Sequence, residues 1–98
     1  MMSTEEQLQR SADVLRAIAH PIRLSVVELL NGADGPMSVT KIYTALGLAQ
    51  PIVSHHLGVL RNVGVVTKEQ QSRFVYYTLS RDVIKSAMDV LASLVEKK

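Results

Sequence analysis

The 98-residue sequence contains no cysteine. That single absence removes disulfides, thiolate zinc sites, iron–sulfur clusters and thiol redox sensing. A long apolar run is lacking too. The densest stretch, Ile22 to Leu30, is broken by Arg23, Ser25 and Glu28 and falls far short of the ~20 residues that a membrane helix needs. The opening MMSTEEQLQR is polar and acidic and does not read as a signal peptide. The expectation is a cytoplasmic protein with no membrane partner. There is no internal repeat, low-complexity stretch or linker. There is also no phosphate loop, no nucleophile beside a base and no acid pair in an evident cleft, so neither an enzyme nor a cofactor is expected.

What is present is apolar for its size. A chain this short is expected to form one domain, residues 1–98, and buries only a modest share of its surface when it folds alone. Yet 47% of it is hydrophobic and its mean hydropathy is positive. A subunit interface would absorb the excess. The formal charge of +2 says little, but its distribution says more. Residues 36–81 hold Lys41, Arg61, Lys68, Arg73 and Arg81 against one acid, Glu69, while the rest of the chain has more acids than bases. A cationic centre is the electrostatic footprint of a nucleic-acid binder, although a solvated basic face would look the same.

Hydrophobic periodicity divides the chain into helices at about 4–19, 21–30, 39–46, 51–63 and 81–96. Ser3 and Glu6 have capping-box spacing ahead of the first. Leu8, Ala12, Leu15 and Ala19 form its stripe. Pro21 suits a first helical position. The second helix is apolar on most sides and is expected to be the central buried one. Asn31 to Pro36 reads as a loop. Ser38 is the N-cap of the third helix, and Gly47 suits its C-terminal end. The third and fourth helices, joined by a short glycine-containing connection, have the layout of a helix-turn-helix. Val65 to Glu69 and Arg73 to Leu79 then switch to β-branched and aromatic residues, a hairpin that reads as a wing. It lacks the usual turn glycine, so a loose or long tip is expected. Tyr76 and Tyr77 must face opposite sides of the hairpin, with the choice of inner and outer open. Ser80 is expected to cap the last helix, whose stripe is Ile84, Ala87, Met88, Leu91, Leu94 and Val95. The fold class is mainly α with a small β-hairpin, a winged helix-turn-helix in the order α-α-α-α-β-β-α.

The fourth helix has two unlike sides. At about 100° per residue, Leu57 and Leu60 fall within about 40° of Val53 and anchor the helix to a core. Pro51, Ser54, His55, Gly58 and Asn62 fall on the opposite arc. This outward face is made of small and hydrogen-bonding residues, which can press against base edges in a major groove. Gln50 and Pro51 sit at the helix N-terminus, where free N–H groups and the dipole suit a phosphate. Arg61 is placed to reach a phosphate. His56, about 60° from Val53, is expected to be half buried and mainly structural, within reach of DNA at its edge. In the wing, Arg73 is the expected backbone or minor-groove contact, supported by Lys68.

The segments His20-Pro21-Ile22-Arg23-Leu24 and Ser54-His55-His56-Leu57-Gly58-Val59-Leu60-Arg61 resemble the HPxRL and SxHHLxxLR signatures of ArsR/SmtB-type winged-helix repressors. Val63 to Val66 and Val75 to Leu79 resemble the same family's helix end and wing. The likeness spans residues 8–80. It implies a homodimer that binds an imperfect palindrome in double-stranded DNA, released by an effector, with the first and last helices as the interface. On this reading Gln50, Ser54 and His55 contact DNA, joined by Pro51, His56, Arg61, Lys68 and Arg73. Leu8, Leu15, Ile84, Met88, Leu91, Leu94 and Val95 form the dimer contact. The sequence departs from the family where metals are sensed. Ser38 and Thr40 stand where many relatives carry Cys-x-Cys, and the last helix has Asp82 and Asp89 but no histidine. No metal site is therefore expected, and the sequence names no effector. The alternatives are a winged helix used for protein contact alone, or a metal-responsive repressor with an unrecognised site.

Overall fold

The computed structural model describes residues 4–96, and Ser3, the expected first cap, lies outside them. The order is α1 (Thr4–Ile18), α2 (Pro21–Asn31), β1 (Met37–Ser38), α3 (Val39–Leu46), α4 (Gln50–Asn62), β2 (Val66–Gln71), β3 (Phe74–Leu79) and α5 (Arg81–Val95). The fold is a winged helix-turn-helix whose wing is part of a three-stranded antiparallel sheet, ordered β1-β3-β2.

Local chemistry sets most of the boundaries. His20 is the N-cap of α2. Its Nδ1 accepts the Ile22 N–H at 3.1 Å, and Pro21 follows at the first helical position. Ser38 Oγ accepts the Lys41 N–H at 3.2 Å and opens α3, which Gly47 closes at φ 66°. That left-handed conformation favours glycine because it has no Cβ. Ser80 occupies the N-cap position of α5, but its side chain makes no capping bond. The expected hydroxyl cap is therefore absent. Arg81 instead ties the start of α5 to the end of α2, donating from Nη2 to Asn31 Oδ1 at 2.9 Å and to Asn31 O at 3.2 Å.

Two other expectations are corrected. β1, read as loop and cap in the sequence, pairs Met37 with Tyr77 and Ser38 with Tyr76. The wing tip is neither loose nor long. Gln71 pairs with Phe74, so Ser72 and Arg73 form a two-residue turn, with Ser72 at φ 59° supplying the positive φ usually given by glycine.

The core is drawn from every helix. Val14, Val26, Ile42, Val53, Leu57, Leu60, Val65, Val66 and Ala87 are buried, together with Tyr77, which settles the inner tyrosine. α2 buries Val26 and Leu30 but leaves Leu24 55% exposed, so it is not apolar-packed on most sides. α2 packs against α1, α3, α4 and β3, and α4 against α1, α2, α3 and β2, so the centre is shared between them, with α4 burying the more side chains. α1 and α5 lie against each other, so the first and last helices form one layer. The radius of gyration is 14.6 Å and the longest extent 49 Å, against about 13 Å for a compact chain of this length. The elongation leaves Leu8, Met88, Leu91, Leu94 and Val95 exposed, whereas Leu15 and Ile84 pack partly against the core.

Leu57→Ala is expected to cost about 2–5 kcal/mol, the range for deleting a buried leucine side chain, read from denaturant unfolding. A loss below about 1 kcal/mol would mean that α4 is not anchored at Leu57.

Candidate nucleic-acid interface

α4 presents a fully buried stripe and a free one. Val53, Leu57 and Leu60 are completely buried, while Gln50, Pro51, Ser54, His55, Arg61 and Asn62 are exposed. The N-cap residue, Ala49, offers no side-chain cap to α4; Pro51 has no N–H, and the Ile52 and Val53 N–H groups both donate to the Ala49 carbonyl.

A groove runs between this free stripe, the start of α3 and the wing. Gln50, Ser54, Gly58 and Arg61 line it from α4, and Lys68, Arg73, Phe74, Val75 and Tyr77 from the hairpin. Among the described residues that line it, the charged ones, Arg61, Lys68 and Arg73, are all cationic. Strand register explains how. Lys68 pairs with Tyr77, and Glu69 with Tyr76. Paired residues share a face and neighbours alternate. Lys68 therefore points with buried Tyr77 toward the groove, and the one acid of the wing points to the other side. Of the other central cations, Arg81 is held at Asn31, and Lys41 lines a separate cleft with Asp34 and Glu28.

Five of the sequence-predicted contacts, Gln50, Ser54, Arg61, Lys68 and Arg73, thus meet in one groove. Pro51 and His55 are exposed on the same helix but do not line it. The sequence reading passed over Thr40, Tyr43 and Phe74, which also line the groove. Phe74 carried a signal, because an aromatic beside the turn cation has no core to enter and is half exposed.

Gly58 is informative because nothing in the protein requires it. A Cβ built there meets no atom within 4 Å. A glycine inside a helix costs roughly 0.5–1 kcal/mol relative to alanine. The fold gains nothing in return, and the side chain is missing on the groove-lining surface, where a close-approaching partner would need the space.

His56 is structural, as expected, but more fully buried than the helical angle suggested. It is 8% exposed, and its ring faces into the protein. Arg23 Nη1 lies 3.2 Å from His56 Nδ1. A guanidinium can only donate, so Nδ1 accepts and the neutral ring carries its proton on Nε2. The His20 ring centroid lies 4.5 Å from that of His56, and that of His55 lies 5.1 Å away. Burial, then the neighbouring His20, Arg23 and His55, push the His56 pKa below the ordinary imidazole value. Among the described residues no three His, Asp or Glu side chains are grouped as ligands for a metal ion.

A helix-turn-helix followed by a β-wing, with a cationic groove between recognition helix and wing, defines a winged-helix regulator. Residues 20–68 match the family model described as bacterial regulatory protein, arsR family. The transcriptional repressor SdpR of Bacillus subtilis is 28% identical over 85 residues, which cover 87% of this chain and 92% of SdpR. HlyU from Vibrio cholerae superposes with a TM-score of 0.74 at 30% identity, covering 95% of this chain and 97% of HlyU. The homodimeric winged helix-turn-helix DNA-binding domain of Mb0332 from Mycobacterium bovis does so at 0.74 and 28%, covering 97% and 89%. The chain belongs to the arsR family of bacterial regulatory proteins and is a transcriptional regulator. Among the described residues no helix is long and apolar enough to cross a membrane.

Gly58→Ala is expected to stabilise the free protein by roughly 0.5–1 kcal/mol, seen as a higher thermal midpoint. A lower midpoint would show a packing constraint on the glycine after all.

Proposed function

We propose that this chain is a cytoplasmic, non-enzymatic repressor that acts as a homodimer on an imperfect palindrome in double-stranded DNA. The observation that carries this reading is the groove that collects Gln50, Ser54, Gly58, Arg61, Lys68 and Arg73 on one unobstructed face. α4 enters the major groove. Ser54 and His55 address base edges with their hydrogen-bonding groups, and Gly58 lets the helix backbone come close. Gln50 and Pro51 put the uncapped helix start against a phosphate. Arg61 and Lys68 neutralise backbone charge, and Arg73 at the two-residue tip follows the phosphates or enters the adjacent minor groove. His56 is not among these contacts, because its ring is buried against Arg23 and His20.

The dimer reading is supported by the apolar surface left on α1 and α5. Leu94 and Val95 are 72% and 83% exposed, with Leu8, Met88 and Leu91 beside them. Burying a large apolar side chain is worth about 1.5–3 kcal/mol, so pairing these helices with their copies is strongly favoured. Leu15 and Ile84 contribute their remaining exposed edges. Leu24 joins them, because it lines an apolar groove with Ile84 and Met88. The DNA-binding domain of Mb0332, a fragment of residues 1–100 to which this chain is similar over 89% of its length, is homodimeric. A two-fold pair sets two α4 helices on one face of DNA, about one helical turn apart.

The test is binding to a duplex that the protein selects from random-sequence DNA, compared with an unrelated duplex across a salt series. Arg73→Ala is expected to weaken both to a similar extent and to lower the salt slope by about 1, the effect of one phosphate contact. An unchanged slope removes the wing from the interface. Leu91→Asp is expected to halve the mass in sedimentation equilibrium, because it places a charge in an apolar contact. An unchanged mass contradicts the α1–α5 interface.

A further inference from the structure

Arg23 reaches two other helices. Its Nε donates to the Ala17 carbonyl in the last turn of α1, and its Nη1 donates to His56 on α4. His20, in the turn between α1 and α2, caps α2 with one edge of its ring and stacks obliquely on His56, the planes 40° apart. The end of the helix assigned to dimerisation is therefore joined to the recognition helix through one guanidinium and two imidazoles. None of these groups lines the groove.

We propose that Arg23 and His56 are positioning residues for DNA recognition, forming a latch that holds α4 at its binding angle and is opened by protonation of His56. The inference rests on the DNA-binding reading above. Its chemistry is local. Nδ1 of His56 is the acceptor for Arg23, and a proton there replaces the hydrogen bond with two opposed N–H donors and sets a cation beside a cation. The groups that act on the ring are His20, Arg23 and His55, each neutral or cationic, and α3 and β2, the other elements packed on α4, contribute none. From α1, Asp13 and Arg16 line the cleft over Arg23 and pair with each other at 3.3 Å, so that carboxylate is already engaged. Burial and this cationic surround both favour neutral His56 in the latched state. Folded, latched protein therefore binds fewer protons than the open form, and the latch is lost as pH falls. The sign is diagnostic. Protonating exposed His55 adds positive charge toward DNA and strengthens binding in acid, whereas protonating His56 weakens it.

The experiment measures Kd by fluorescence anisotropy for a duplex selected by the wild-type protein near neutral pH. It runs at fixed ionic strength from about pH 7.5 to about pH 5.5, which brackets the ordinary imidazole pKa of ~6.5. Far-UV circular dichroism is recorded at each pH. The expected result for wild type is a rise in Kd of about threefold or more across the window, the direction required when the open form takes up a proton that the latched form does not, with helix content unchanged. His56→Gln keeps an acceptor for Arg23 but does not titrate, and its Kd is expected not to rise in acid. His55→Gln is expected to keep the acid loss. In the wild type, the imidazole resonances of His56 should titrate with the midpoint of the binding loss, a readout that does not depend on any variant folding. A wild-type Kd that is flat or falls in acid overturns the latch. So does a rise that tracks loss of helix content, a His56→Gln protein with the wild-type slope, or a binding loss that occurs while the His56 ring stays neutral. Failure to select any duplex at neutral pH is a different result and overturns the DNA-binding reading itself, with the latch falling as its consequence.

Discussion

The rotation of α4 about its own axis is the constraint from which the rest of the site follows. Val53, Leu57 and Leu60 have no exposed surface, and each contributes about 1.5–3 kcal/mol by being buried. Turning the helix by a single residue would bring these side chains out and take Ser54 and Arg61 in. The loss of three such burials is comparable with the entire net stability of a small domain, about 5–15 kcal/mol. The free stripe is thus not selected by weak surface interactions. It is what remains after the core has taken its side, and any residue placed on it is presented to solvent.

The wing obeys the analogous rule with period two. Val66 and Tyr77 are buried on one face, and register then fixes Lys68 beside Tyr77 and sends Glu69 the other way. Two independent periodicities, one helical and one pleated, direct cations into the same groove. Exposed ion pairs such as Lys85–Asp89, at 2.9 Å, lie on the terminal helices, away from it. Exposed pairs of this kind contribute at most about 1 kcal/mol. Neither of the two ion pairs found among the described residues, Arg16–Asp13 and Lys85–Asp89, involves a groove cation.

Where a residue's environment depends on its own element, the sequence was a sufficient guide. α3 spans Val39–Leu46 as read, because Ser38 and Gly47 close it by local hydrogen bonding and left-handed geometry. Val53, Leu57 and Leu60 faced inward, and Ser54, His55 and Arg61 outward, as the helical angles required. Most of the misses share one cause, which is that the partner is distant in the chain. β1 is two residues long and exists only because β3 pairs with it. Thr40, Tyr43 and Phe74 reach the groove only when α3 and the wing close on α4. Leu24 belongs to an apolar run that looked central, and nothing in α2 alone says which of its leucines will find a neighbour. The tip of the wing failed for another reason. A missing glycine was read as a missing tight turn, yet Ser72 takes the positive φ itself.

His56 unites both kinds of information. The helical angle placed it at the edge of the buried side, and only the fold showed what waits there: the Arg23 guanidinium, carried by the helix that His20 caps. A leucine at that position could fill the volume without desolvating a polar ring or the cation against it, and replacing buried polar pairs by apolar ones is often neutral or stabilising. Stability alone therefore does not account for an arginine–histidine contact at the junction of three helices. Direction does. Apolar contacts tolerate sliding, whereas a hydrogen bond from a planar fork to one ring nitrogen is satisfied over a narrow range of angles. A junction held by such a bond fixes where α4 points relative to α1, and in the homodimer proposed above that angle sets how two recognition helices are aimed.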